Sequence, residues 1–445
     1  MNTKRLILIM TACLSTILLS AQDYHWESDL HHRILYDFCK THKEVKDYIR
    51  QYIPDVTDQE MDQWENTGAL EVRIIDGQKR YFRNAAPNLF LIDARCRKIK
   101  EEKDGIEKNG YETVDESDVP LIIQEAPHNP LHLAEPKAMH ITYTISVKAD
   151  AVPEGEMVRC WMPFPRRDIK RQQNVRLIST SEKSYTLSPE SSAHSTLYME
   201  KKAVKGEPTV FSESFEFTAY GQWFNLQPEE IRPYDKTSEL YKTYTSERDR
   251  HIIFTPRLRQ LADSLTQGTE NPLLKARKIF TWINAHFPWA SAREYSTIEN
   301  IPEYVLENHH GDCGQVTLLF LTLCRICGIP AHFESGFMLH PQNENLHDWG
   351  ELYFEGPGWV PVDMAFGIPS YAKNTAETYF FLGGIDSWRM VVNSDFSKPL
   401  YPEKVYPRSE TVDFQRGEVE WKGGNLYFDK WNWKLVSDCI QENHK

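Results

Sequence analysis

Basic residues are in deficit in this chain, with 51 Lys and Arg against 64 Asp and Glu. Nucleic-acid and anionic-membrane binding depend on basic clusters, so both are disfavoured. Pairs such as Lys201-Lys202 are isolated and read as solvated surface. Long apolar runs are missing beyond the first twenty residues, which argues against an integral membrane span. Cysteine is sparse and scattered. After Cys13 come Cys39, Cys96, Cys160, Cys313, Cys324, Cys327 and Cys439, an odd set whose spacing does not resemble a disulfide framework. Mostly reduced, buried thiols are expected. Internal repeats and low-complexity tracts are absent, and no pattern of residues calls for a metal or another cofactor.

What the chain does have begins at its start. Met1 to Arg5 is basic, Leu6 to Leu19 is apolar, and Ser20-Ala21 gives a small-residue exit. That pattern reads as a signal peptide over 1–21, with an exported (periplasmic or extracellular) mature protein. Without Lys4 and Arg5 the balance is 49 basic to 64 acidic residues.

Residues 22–125 mix helix and strand signals. Apolar positions from Asp29 to Ile53 recur at helical spacing, Leu70 to Ile74 alternates, Asp76-Gly77 suggests a hairpin, and Ala94 to Lys103 reads as a charged helix. Three prolines in 126–136 suggest a linker opening a 126–235 region. From Met139 the period becomes two, with Ile141, Tyr143, Ile145 and Val147 on one face, so an antiparallel β-sandwich of about 100 residues is expected. Helices return in 236–385, where Asn271-Pro272 starts one with a cap and a first-turn proline. The segment 386–445 is aromatic-rich, and Trp421, Tyr427, Trp431 and Trp433 are expected to cover the other domains. The fold class is α+β.

The chemistry lies in three short stretches. Gly311-Asp312-Cys313-Gly314 precedes an apolar run, Val316 to Cys324, that reads as a central helix ending at Gly328. Cys313 then sits in the first turn, where free N–H groups and the helix dipole favour a thiolate and could hold an oxyanion. Gly311 and Gly314 leave room for a substrate carbonyl. His347 opens a strand, and Asp363 ends a second one after Glu355-Gly356-Pro357-Gly358. The two are 16 residues apart, and a hairpin centred on Glu355 puts them opposite each other on one face. A cysteine, a histidine and an aspartate in this order suit acyl transfer by a Cys-His-Asp triad.

With these motifs in place, Pro272 to Gly367 resembles the catalytic core of the transglutaminase-like superfamily, which has a papain-like fold. The resemblance rests on the Gly-x-Cys helix start, on Arg325-Ile326-Cys327-Gly328-Ile329-Pro330-Ala331, on His347-Asp348-Trp349, and on Gly358-Trp359-Val360-Pro361-Val362-Asp363. It implies a papain-like core preceded by the sandwich and by a small mixed N-terminal domain. The implied roles are Cys313 as nucleophile, His347 as general base and acid, and Asp363 as orienter. Trp289 and Gln315 are candidates for the second oxyanion donor, and Trp349 for the floor of the cleft. Asp348 departs from the small or apolar residue usual between the histidine and the tryptophan, and it is expected to point away from His347. A peptide or protein substrate is implied, with cleavage favoured over cross-linking. Two other readings stand beside this one. One is a non-catalytic peptide- or glycan-binding protein on a degenerate scaffold. The other is a thiol–disulfide oxidoreductase built on Cys324 and Cys327.

Overall fold

The computed structural model describes residues 25–106 and 110–440, so the expected signal peptide lies outside the described residues. The N-terminal region opens with helices α1 (Trp26–Asp37), α2 (His42–Ile49) and α3 (Asp58–Asn66). The helical stripe from Asp29 to Ile53 is therefore two helices. Thr41 takes an extended conformation between them and forms a reciprocal cap with Glu44, which starts α2 afresh. A hairpin of β1 (Val72–Ile75) and β2 (Gln78–Tyr81) turns through Asp76 and Gly77, both at positive φ. Helices α4 (Ala85–Ile92), α5 (Ala94–Asp104) and α6 (Gly110–Glu125) follow. No local periodicity marks α6 as a helix: it holds Pro120 and buries only Asp115, Val119 and Ile122.

Next come β3 (Leu133–Val147), β4 (Met157–Pro163), β5 (Gln172–Thr180), β6 (Thr186–Leu187), β7 (Thr196–Lys202) and β8 (Thr209–Trp223). Met139, Ile141, Tyr143, Ile145 and Val147 of β3 are buried, and the residues between them are half-exposed, as a one-sided strand requires.

The third region holds α7 (Glu239–Tyr244), α8 (Pro256–Thr266), α9 (Pro272–His286), α10 (Ile301–Asn308) and α11 (Cys313–Ile326). Then come β9 (Ala331–Met338), β10 (Asn345–Phe354), β11 (Gly358–Val362), the single turn α12 (Thr375–Thr378), β12 (Gly384–Ile385) and β13 (Arg389–Asn393). Asn271 caps α9 by accepting the N–H groups of Leu273 and Leu274. The last strands are β14 (Glu418–Trp421), β15 (Gly424–Asn425) and β16 (Trp431–Cys439).

Two five-stranded antiparallel sheets share one apolar core. One runs β12-β8-β3-β16 with β5 also on β8, and the other runs β15-β14-β4-β7-β6. The aromatic C-terminal segment thus supplies strands to both sheets rather than lying over them, and Trp431 opposite Val147 begins the β16–β3 ladder.

A separate sheet, β11-β10-β9-β13, carries α11 on one face. Leu318, Leu319, Phe320, Leu321, Leu323 and Cys324 of α11 are all fully buried. Each large apolar side chain contributes roughly 1.5–3 kcal/mol by leaving water. Gly350 of β10 is required by its neighbours, because a Cβ there would lie 2.7 Å from the His332 carbonyl of β9 and 3.1 Å from the Leu321 side chain of α11. Gly328, at φ +74°, ends the helix region. The other face of the sheet packs Trp349 against Ile385 and Val391.

The β10–β11 ladder pairs Tyr353 with Trp359 and Phe354 with Gly358. The hairpin therefore centres on Gly356, not Glu355, and the register is shifted by two. An even shift keeps His347 and Asp363 on one face but makes them diagonal rather than opposite neighbours.

Candidate active site

Asp312 is the N-cap of α11. Its Oδ1 accepts the Gln315 N–H at 3.0 Å, and Gln315 Oε1 accepts the Asp312 N–H at 3.2 Å. The Tyr295 hydroxyl donates to the same Oδ1 at 2.5 Å. Burial pushes the Asp312 carboxyl up to about 6 despite these donors. The loop before it is anchored by the Ala290 N–H, which donates to the Gly311 carbonyl at 3.1 Å. Gly314 is required by its protein neighbours rather than by a substrate carbonyl. A Cβ there would collide with Tyr295 Oη and lie 2.7 Å from Asp348 Oδ2.

Cys313 follows in the first turn, partly exposed, and its thiol donates to Asp348 Oδ2 at 3.3 Å. Burial first, and then the Asp348 and Asp312 carboxylates, hold the thiol well above its ordinary pKa. The expected pull of the helix N-terminus toward a thiolate is overridden.

His347 and Asp348 are consecutive in β10, so their side chains leave opposite faces of the strand. His347 Nε2 bonds Asp363 Oδ2 at 2.7 Å. Asp363 Oδ1 accepts the N–H groups of Ala365 and Phe366, at 3.1 and 3.0 Å. Arg389 Nη1 donates to Asp363 Oδ2 at 2.7 Å, and the same guanidinium forks onto Asp386. Burial raises the Asp363 pKa, but His347 and Arg389 outweigh it and leave the carboxyl at about 2. Burial lowers the His347 pKa against the upward pull of Asp363. Among the described residues its Nδ1 makes no hydrogen bond.

The cavity beside Cys313 has a volume of about 280 Å³. Trp289, Tyr295, Asp312 and Asp348 line it from the core, and Glu410, Asp413, Gln415 and Arg416 wall it from a loop ahead of β14. Gln415 Nε2 ties this loop to the strand, donating to the His347 carbonyl at 2.8 Å and to Asp348 Oδ1 at 2.9 Å.

This helix start and strand pair fall inside residues 259–364, which match the transglutaminase-like superfamily. That stretch is a transglutaminase-like domain. The uncharacterised protein YebA of Bacillus subtilis is 24% identical over 173 residues, a match spanning 32% of this chain and 24% of YebA. Two solved structures are also similar. One is described as a "Putative Cysteine Protease" from Cytophaga hutchinsonii, with 15% identity, 70% of this chain and 94% of that one covered, and a TM-score of 0.47. The other is the periplasmic domain of TgpA from Pseudomonas aeruginosa, with 14% identity, 51% and 88% covered, and a TM-score of 0.27.

In the transglutaminase-like domain the expected site residues fall into separate groups. Asp363 meets His347, but the partner of Cys313 is Asp348, and the expected thiol–imidazole hydrogen bond is not among the contacts of either residue. Asp348 does point away from His347, and in doing so it lands on the nucleophile position. Trp289 is half-exposed on the cavity wall, where its indole is open to a substrate. Gln315 is fully buried and is not among the residues lining the cavity; its Oε1 accepts the Asp312 N–H, while its Nε2 makes no hydrogen bond. Trp349 is also fully buried. Its Nε1 donates to Glu334 at 2.8 Å behind the sheet, so it does not floor the cleft.

Arg389, Gln415 and Tyr295 were not singled out from the sequence, because only the folded chain brings them to the motifs. All seven described cysteines are free, and Cys39 and Cys439 are exposed rather than buried. Cys324 lies fully inside the core, which leaves the oxidoreductase reading without an accessible thiol pair.

Proposed function

We propose that the protein is a cysteine acyl-transfer enzyme acting on amide bonds of peptides or proteins, with water as the usual acceptor. The observation that carries this reading is the bond from His347 Nε2 to Asp363, reinforced by Arg389. It fixes the tautomer and leaves Nδ1 as the base. This reaction requires the Cys313 thiol to leave Asp348 and come within reach of the His347 ring, which leaves the other face of β10, and to give up its proton there. The sulfur then attacks the carbonyl while the Cys313 N–H and the Trp289 indole hold the oxyanion. His347 returns the proton to the leaving amine, and water or an amine resolves the acyl-enzyme. Turnover of a peptide-amide library tests this. Cys313→Ala and His347→Ala should each abolish turnover and keep the fold, whereas undiminished turnover by Cys313→Ala would place the chemistry elsewhere.

One observation favours a second reading, a non-catalytic peptide-binding protein: the thiol is paired with a carboxylate and held protonated. That reading calls for Cys313 to react with alkylating agents no faster than a buried thiol. Export is part of the proposal. No helix among the described residues is long and apolar enough to cross a membrane, and a mature chain beginning at Gln22, read by mass spectrometry of the secreted or periplasmic fraction, is the expected product.

A further inference from the structure

The cavity beside Cys313 holds more acid than its own cations neutralise. Arg416 donates to Glu294 at 2.7 Å and to Glu410 at 2.5 Å, and Arg83 donates to Glu294 at 2.9 Å. Arg293 turns to Glu71, outside the cavity, at 3.4 Å. Asp312 is occupied by the helix cap and Tyr295. Two carboxyls remain. Asp348 is only 2% exposed and receives neutral donors alone, the Gln415 amide and the Cys313 thiol. Asp413 is 7% exposed and lines the cavity, and among the described residues it makes no hydrogen bond or ion pair.

A buried carboxyl without a partner is costly, and two of them lining one cavity, Asp348 from the core and Asp413 from the loop ahead of β14, are stabilised by whatever brings a positive charge. We propose that this cavity is a subsite for a cationic side chain of the acyl donor, an ammonium or guanidinium group paired by Asp348 and Asp413. This names a substrate class for the acyl-transfer reading and rests on it. Burial raises both carboxyls well above their usual range, so an arriving cation would displace protons from them. The same cation would offset the Asp348 charge that opposes ionisation of the thiol. A guanidinium fits the geometry of paired carboxylates and has no nucleophilic amine, so it distinguishes this subsite from an acceptor site.

Calorimetric binding of N-acetylargininamide, N-acetyllysinamide and N-acetylnorleucinamide to the wild-type mature chain is the test. The two cations should bind at least tenfold more tightly than norleucinamide, more weakly as salt rises, and with release of protons to the buffer. Asp413→Asn should lose that preference, and the wild-type salt series gives an answer even if this variant folds poorly. Equal binding of all three compounds, or a preference that Asp413→Asn retains, would overturn the subsite. Because binding is read without turnover, cation binding with no catalysis would count against the acyl-transfer reading alone. Catalysis indifferent to the cation would count against the subsite alone.

Discussion

Replacing Asp348 by Asn should make Cys313 markedly more nucleophilic. The Cys313 sulfur lies 3.3 Å from Asp348 Oδ2. At an effective dielectric constant of about 20, two unit charges at that distance repel by about 5 kcal/mol. The helix N-terminus favours a thiolate by only about 0.3–1 kcal/mol, and by about 2 in partly buried geometry, so the carboxylate wins. Water in the open cavity and partial protonation of Asp348 weaken the repulsion. Burial also raises the Asp348 carboxyl well above its usual range, so only part of the charge acts; if a quarter of the repulsion survives, its removal is worth roughly tenfold in thiolate population. Asn keeps the volume and the acceptor oxygen, and the Asp348 N–H that lowers the Cys313 pKa is retained. The assay is the rate of iodoacetamide labelling at pH 7.5, followed cysteine by cysteine by mass spectrometry, with exposed Cys39 as the internal reference. Labelling of Cys313 should rise on the order of tenfold while Cys39 stays constant. An unchanged or slower Cys313 rate would refute the claim that Asp348 holds the thiol protonated.

Three further outcomes are expected. Arg389→Met leaves Asp363 and Asp386 as buried carboxylates without their guanidinium, and should cost about 3–5 kcal/mol in urea unfolding; a loss below about 1 kcal/mol would mean that the fork is not a structural anchor. Gly314→Ala pushes a methyl into Tyr295 and toward Asp348, and should lower stability by about 1–3 kcal/mol in thermal unfolding; an unchanged midpoint would contradict the packing described. Asp312, raised by burial to about 6 from 3.8, binds a proton in the folded state that the unfolded chain has released. Between about pH 4 and 6 the native state holds more protons, so this group makes stability fall as pH rises, by up to about 3 kcal/mol. Asp312→Asn keeps a good cap and should flatten that part of the stability–pH curve, and an identical slope in the variant would show that Asp312 is not its source.

The parts of the fold legible in the sequence were those written in local chemistry. The Asn271-Pro272 start, the Asp76-Gly77 turn, the alternation of β3 and the all-round apolar α11 each follow from residues within one element. The Asp29–Ile53 stripe misled because a periodic pattern does not register a cap at Thr41 that interrupts it. The His347–Asp363 pairing was reached from an even spacing although the turn centre was misplaced by one residue, since parity fixes the face and not the neighbour. Gln315 and Trp349 were misplaced for a different reason. Residue type suggested a donor and a floor, but the packing of α11 buries Gln315 away from the cavity wall and the carboxylate of Glu334 claims the Trp349 indole. Arg389 and Gln415 come from 26 to 68 residues beyond the motifs they touch, Asp413 lies on the same loop as Gln415, and no local pattern marks them. Asp348 was visible as an unusual residue, and its neighbour Cys313 could be known only once α11 was docked on β10.

The proposed reaction passes through a covalent acyl intermediate on Cys313. Intact-protein mass spectrometry of the wild-type mature chain, quenched in acid during reaction with activated peptide esters and amides, tests it directly. The expected result is a mass increase equal to the acyl group, mapped to Cys313, absent from Cys313→Ala, and accumulating more slowly in Asp363→Asn. An adduct on another residue, or none on Cys313 while substrate is consumed, would contradict it.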